Sequence, residues 1–157
     1  MRLQIAESVA QTIVKLLEPH CERIQIAGSI RRRKPACHDI DIVLIPGPDA
    51  WGLNSALKRL GKQVKGGSKM SCFITAGGHQ VDIYFATLET WATLLLIRTG
   101  SKEHNIKLCT AARARGWKLC ATGNGLFNEK GERIAGDTEE SIFQKLGMLY
   151  IPPERRD

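Results

Sequence analysis

No stretch of this 157-residue chain approaches the roughly 18 consecutive apolar residues of a membrane-spanning helix. The opening, MRLQIAESVAQTIVKLL, places Glu7 and Lys15 among its apolar positions and lacks a small-residue cleavage site, which argues against a secretory leader. There is no C-x-x-C pair either: Cys21, Cys37, Cys72, Cys109 and Cys120 are an odd, scattered set, which speaks against a disulfide framework and a structural zinc site. Internal repeats, low-complexity tracts and flexible linkers are missing as well. Together these absences lead to the expectation of a soluble, cytoplasmic protein without membrane contact, working as a monomer.

Acid is missing locally. Lys58, Arg59, Lys62, Lys65 and Lys69 fall in a stretch without one carboxylate, and Arg98, Lys102, Lys107, Arg113, Arg115 and Lys118 are opposed only by Glu103. Two basic stripes result in a chain of formal net charge +7 and pI about 9.4. A polyanionic partner fits, because cationic side chains release the counterions condensed on phosphates; a solvated surface kept soluble by charge is the plainer alternative. Hydrophobic residues at 43% and charged residues at 25% are ordinary for a folded chain, and the length allows one core or two small lobes sharing one.

The hydrophobic pattern predicts a helix over 3–17, a strand over 23–27, a second strand from about Asp39 to Ile45 and a helix over 50–60. Strands follow at 63–64, 70–75 and 80–85, separated by glycine pairs and completing a mixed sheet. From about Thr87 the pattern changes to two helices, 89–98 and 101–115, interrupted at Thr99-Gly100. Short strands near 117–120 and 125–127 come next, then a helix capped by Thr138 and ended by Gly147. The expected class is α+β: a mixed-sheet unit over 1–86 and a smaller α/β lobe over 87–157.

The chemistry concentrates in Gly28-Ser29-Ile30-Arg31-Arg32-Arg33, which is followed by Asp39-Ile40-Asp41. Side chains two apart on a strand share a face, so Asp39 and Asp41 stand side by side and repel unless a proton or a cation intervenes. Asp82 lies in the apolar run Val81-Asp82-Ile83-Tyr84-Phe85, where an unpaired buried charge is costly, so it is expected to face the same site. Three carboxylates beside a glycine-serine turn suit phosphoryl transfer with two divalent metal ions. In that scheme Gly28 admits a phosphate close to the backbone, Ser29 donates to it, and Arg31 or Arg32 clamps its oxygens. Each piece alone has a bland reading: a common turn, a surface D-x-D, an edge-strand aspartate facing water.

These residues resemble the nucleotidyltransferase superfamily signature, which is shared by enzymes acting on tRNA, antibiotics and proteins. The second half narrows the resemblance. Thr99-Gly100-Ser101-Lys102-Glu103-His104-Asn105, the spacing Ala111 to Gly116, Glu139 to Phe143, Leu146-Gly147 and Tyr150-Ile151-Pro152-Pro153-Glu154-Arg155 resemble the thumb of family X DNA polymerases.

The resemblance implies a palm over 1–86 and a thumb over 87–157. By it, Asp39 and Asp41 bridge two Mg2+ ions (or Mn2+), and Asp82 binds the catalytic one. It assigns Ser29 and Arg32, beside Gly28, to the triphosphate, Thr99, Gly100 and Ser101 to the nucleotide sugar, and Asn105 to the base; His38, which stands where relatives often have glycine, is a further candidate for a phosphate contact, with a surface histidine as the alternative. It also implies a cis peptide at Gly100-Ser101. Lys65, Lys69, Arg98, Lys102, Lys107 and Arg113 are the candidate DNA contacts, with gapped or primer-template duplex DNA and deoxynucleoside triphosphates as partners.

The implied activity is template-directed gap filling in DNA repair. The alternatives are template-independent transfer to RNA ends or small molecules, and a DNA-end binding module without catalysis. The similarity starts at the palm, without the lyase and helix-hairpin-helix segments of larger relatives, so no deoxyribose-phosphate lyase activity is expected. Besides His38, the pair Ile97-Arg98 and Cys109 depart from the family pattern. Ile97-Arg98 replaces a tyrosine-phenylalanine pair, which bears on sugar selection, and Cys109 replaces an arginine that contacts the template, which points to low fidelity.

Overall fold

The computed structural model describes residues 1–157. Helix α1, Leu3–Leu17, forms because Ala6, Ala10, Ile13 and Leu17 recur at helical spacing and are its buried residues. Pro19 sits in the 3₁₀ turn Glu18–His20 that ends it. Strand β1, Cys21–Ile26, leads into α2, Gly28–Arg31, a single helical turn where the sequence predicts only an arginine-rich loop. Strand β2 is Ile40–Pro46, so Asp39 stands one residue before the strand rather than in it. Helix α3, Ala50–Lys58, is capped by the Asp49 carboxylate, which accepts from the Gly52 amide. Strands β3, Lys62–Lys65, β4, Met70–Ile74, and β5, Gln80–Phe85, complete a five-stranded sheet of order β1-β2-β5-β4-β3.

The sheet is mixed because β2 and β5 run parallel while the other neighbours are antiparallel. On the face carrying α1 and α3, Ile40, Ile42, Leu44, Phe73, Val81 and Ile83 form the main core with Ala6, Ala10, Leu53 and Leu57. On the opposite face Val43, Ile45 and Tyr84 meet Leu94 and Leu95 of α4, Trp91–Thr99. Helix α4 is therefore apolar on two sides: Leu96 turns into a separate core with Leu108, Leu126, Ile142 and Phe143. That second core lies under α5, Lys102–Ala114, a three-stranded sheet in which β6, Lys118–Cys120, and β7, Gly125–Phe127, are joined by a third strand, and α6, Glu139–Lys145. Strand β8, Arg133–Ala135, was not expected from the sequence, because a three-residue strand closed in by Gly131 and Gly136 carries too little alternation to register. Thr138 caps α6 as predicted, in a box with Ser141. The architecture is α+β, and no helix is long and apolar enough to cross a membrane.

Candidate active site

The parallel pairing of β2 with β5 sets the geometry. Asp41 and Asp82 are direct register partners, so both point to the α4 face of the sheet, where Tyr84 also lies. Gly28, at φ +61, begins the helical turn α2 directly against them: a Cβ built there would lie 2.1 Å from Asp41 Oδ2. Only glycine allows the turn to approach the carboxylate so closely. The Ala27 amide bonds the Asp41 carbonyl at 2.8 Å, tying the turn to the strand.

The electrostatics are those of crowded negative charge. Asp41 is pushed up to about 6, first by burial and then by the Asp82 and Asp39 charges, against the opposing effects of Arg98 and the Tyr84 hydroxyl. That hydroxyl lies 3.5 Å from Asp41 Oδ1. Asp82 is buried, 6% exposed, and Gln80 Nε2 bridges both its oxygens at 3.3 Å. Cys72, its register partner on β4, is raised to about 11 by burial and by the adjacent Asp82 carboxylate. Asp82 thus lies beside Asp41 but does not line the open cleft, and no three acidic, histidine or cysteine side chains are gathered into a ready metal cage.

That cleft, of about 540 Å³, collects most of the residues singled out in the sequence. Gly28, Ser29, Arg32, His38, Asp39 and Asp41 form one wall, and Arg98, Gly100, Ser101, Lys102 and Asn105 the other. The Gly100-Ser101 peptide is cis, as the resemblance implied. Ser101 caps α5 by accepting from the His104 amide at 3.2 Å. Asn105 Nδ2 donates to the Ile97 carbonyl at 2.8 Å, while its Oδ1 is buried without a partner. Arg32 donates to the Thr99 carbonyl at 2.5 Å and leaves its Nε unpaired. Thr99 itself is buried outside the cleft lining.

The two arginines after Ser29 have separate duties. Arg31 does not clamp a ligand: it bonds Glu139 at 2.5 and 3.3 Å and Thr99 Oγ1 at 2.8 Å. Glu139 also accepts from Arg156, at 2.9 and 3.4 Å, and Arg156 is fully buried. Burial opposes ionisation of Glu139, yet the hydrogen bonds from Arg31 and Arg156 hold its carboxyl below the usual range. In the sequence Glu139 stands out only as part of the thumb-like segment Glu139 to Phe143, and nothing local marks it as a partner 108 residues from Arg31.

The candidate DNA residues divide by location. Arg98 and Lys102 line the cleft, while Lys107 and Arg113 are exposed along α5. Lys65 is the register partner of Cys72 and so lies on the Asp82 face of the edge strand β3. Lys69 is exposed just before β4. Gln80, Cys72 and Tyr84 were missed as site residues; the alternation that places Asp82 on one face also places Gln80 and Tyr84 there.

Residues 94–157 match the family model described as DNA polymerase beta thumb. Over 159 residues the chain is 29% identical to the DNA polymerase/3'-5' exonuclease PolX of Bacillus subtilis, covering 99% of this chain and 27% of that protein. Rat DNA polymerase lambda is 27% identical over 160 residues, 83% of this chain and 28% of its own length. The chain thus spans about a quarter of these two relatives. A repair DNA polymerase X of African swine fever virus is 25% identical, with 99% of this chain and 92% of the viral protein aligned. The Leishmania infantum polymerase beta ternary gap complex shares the fold, with a TM-score of 0.85 at 22% identity over 100% of this chain and 70% of that one.

Proposed function

From its place among the family X DNA polymerases, to which this chain belongs, we propose that it adds deoxynucleotides to a primer 3'-hydroxyl, directed by a template, in short gaps of DNA under repair. The observation that carries the reading is one cleft, walled on one side by the Gly28-Ser29 turn with Asp39 and Asp41 and on the other by Gly100, Ser101 and Asn105. A transferase acting on small molecules has no need of the second wall. In the same reading residues 1–86 are the palm and 87–157 the thumb, with α4 packed against both cores.

The carboxylates fit a pair of hard divalent cations, Mg2+ or Mn2+, because burial and mutual repulsion at Asp41 are both relieved by positive charge. Asp39 and Asp41 would hold both ions and Asp82 one of them. The ions supply a lowered pKa for the primer hydroxyl and charge neutralisation for the triphosphate. The chain's own groups do the rest. Gly28 leaves room for a phosphate, and Ser29 and the Arg32 guanidinium donate to its oxygens. His38 borders the same wall. Gly100 and Ser101 pack on the sugar, and Asn105 turns its amide from Ile97 to the base. Lys65, Lys69, Lys102, Lys107 and Arg113 track the DNA backbone through nonspecific phosphate contacts.

The test is extension of a primer at a single-nucleotide gap with Mg2+ or Mn2+. Extension is expected from the unaltered chain and at least a thousandfold less from Asp39→Ala and Asp41→Ala. Activity that survives both replacements sinks the mechanism.

A further inference from the structure

Among the arginines and lysines bordering the cleft, Arg98 and Lys102 are unpaired, and Arg98 alone is stacked on an aromatic ring. Arg32 is held by the Thr99 carbonyl and Lys34 by Asp157, whereas Arg98 makes no hydrogen bond and no ion pair. The central carbon of its guanidinium lies over the Tyr84 ring, 4.3 Å from the centroid, and the hydroxyl of that ring reaches Asp41. An aromatic face holds a cation without satisfying its five donors. Arg98, Tyr84, Asp39 and Asp41 line the same cleft, so the unsatisfied charge sits on the ring whose hydroxyl touches the carboxylate cluster.

Building on the reading of Asp39, Asp41 and Asp82 as metal ligands, we propose that Arg98, stacked on Tyr84, is a resident counter-cation that competes with the metal ions and leaves the ring when the site loads. A unit positive charge close to Asp41 partly neutralises the carboxylate cluster and repels an arriving divalent ion. The two occupancies are therefore antagonistic. A nucleoside triphosphate changes the balance twice, by bringing negative charge to the ions and by offering the freed guanidinium an oxyanion that it can bind bidentately. Metal binding to the chain alone is consequently weak, and nucleotide and metal load together. Arg98 in this sense sets the order of binding, first through its charge beside the empty site and then through the triphosphate oxyanion it takes up.

The experiment is titration of the full chain with Mn2+ alone, followed by the electron paramagnetic resonance signal of free Mn2+. Arg98→Gln is expected to bind Mn2+ roughly tenfold more tightly than the unaltered chain, an effect of one nearby charge in a partly solvated site. Arg98→Lys, which keeps the charge, should stay within about twofold. Equal or weaker binding by Arg98→Gln overturns the proposal. Mn2+ binding that Asp41→Asn leaves unchanged places the ion elsewhere and overturns both the proposal and the metal reading beneath it. A measurement without substitution guards against a misfolded variant. The Arg98 side-chain resonance, shifted by the Tyr84 ring current, should move as Mg2+ is added, and a signal unmoved at saturating Mg2+ contradicts the proposal.

Discussion

Gly28 and Asp41 set the tolerance of the site. A methyl group at Gly28 meets Asp41 Oδ2 at 2.1 Å on a backbone at φ +61, so Gly28→Ala combines a clash with a left-handed conformation. It should lower single-nucleotide incorporation at least a hundredfold and stability by about 2 kcal/mol, measured by denaturant unfolding. Asp41 shows the converse exchange. Its folded pKa of about 6 lies above the unfolded 3.8, so its charge destabilises the metal-free fold fully above pH 6 and not at all below about 3.8. Asp41→Asn should therefore raise the melting temperature by about 4 °C at pH 8 while abolishing incorporation, with the stability gain gone near pH 3.8. An unchanged melting temperature at pH 8 would speak against repulsion as the source. At this scale the sequence was informative: the Gly28-Ser29 turn, the D-x-D pair and Asp82 were legible from residue type and the period of two. The side chains that orient them were not, because glutamine, cysteine and tyrosine at Gln80, Cys72 and Tyr84 have no chemistry that declares itself before the strands pair.

Between elements, the decisive contact is the buried chain Arg31–Glu139–Arg156, which ties α2 to α6 and to the carboxy-terminal segment. Removing the central carboxylate leaves two guanidinium groups facing each other away from water. Glu139→Ala should cost about 3 to 5 kcal/mol in denaturant unfolding, and a loss under 1 kcal/mol would mean that the triad is solvated. Next to it His104 is 2% exposed, with both ring nitrogens unpaired. Burial first, then the Arg156 and Lys107 charges and a smaller effect of Arg32, lowers it to about 4 from 6.5, against the pull of Glu139. The unfolded chain takes up this proton at 6.5 and the folded chain only near 4, so stability falls as pH drops through that window. His104→Phe should remove about 2 kcal/mol of that fall, seen as a flatter dependence of the unfolding midpoint on pH. Helices α1, α5 and α6 were legible because their apolar spacing and caps are local signals. The one-turn helix α2 and the three-residue β8 were not, since such short elements are decided by what they pack against.

Across the whole molecule, α4 joins the two cores. Leu94 and Leu95 pack on the five-stranded sheet and Leu96 on the second cluster, so the walls of the cleft share one rigid element. The change of pattern near Thr87 was visible in the sequence, but not that this helix serves both sides, because a run such as Leu94-Leu95-Leu96 has no polar face to read. A formal charge of +7, with Arg98 and Lys102 at the cleft and Lys107 and Arg113 along α5, suits a nucleic-acid backbone running past the second wall. The most direct test of the account is incorporation on four single-nucleotide-gapped DNAs that differ only in the template base, each offered all four deoxynucleoside triphosphates with Mg2+. The account predicts that the preferred nucleotide follows the template base and that Asp39→Ala removes all four reactions; the same nucleotide chosen on every template would contradict it.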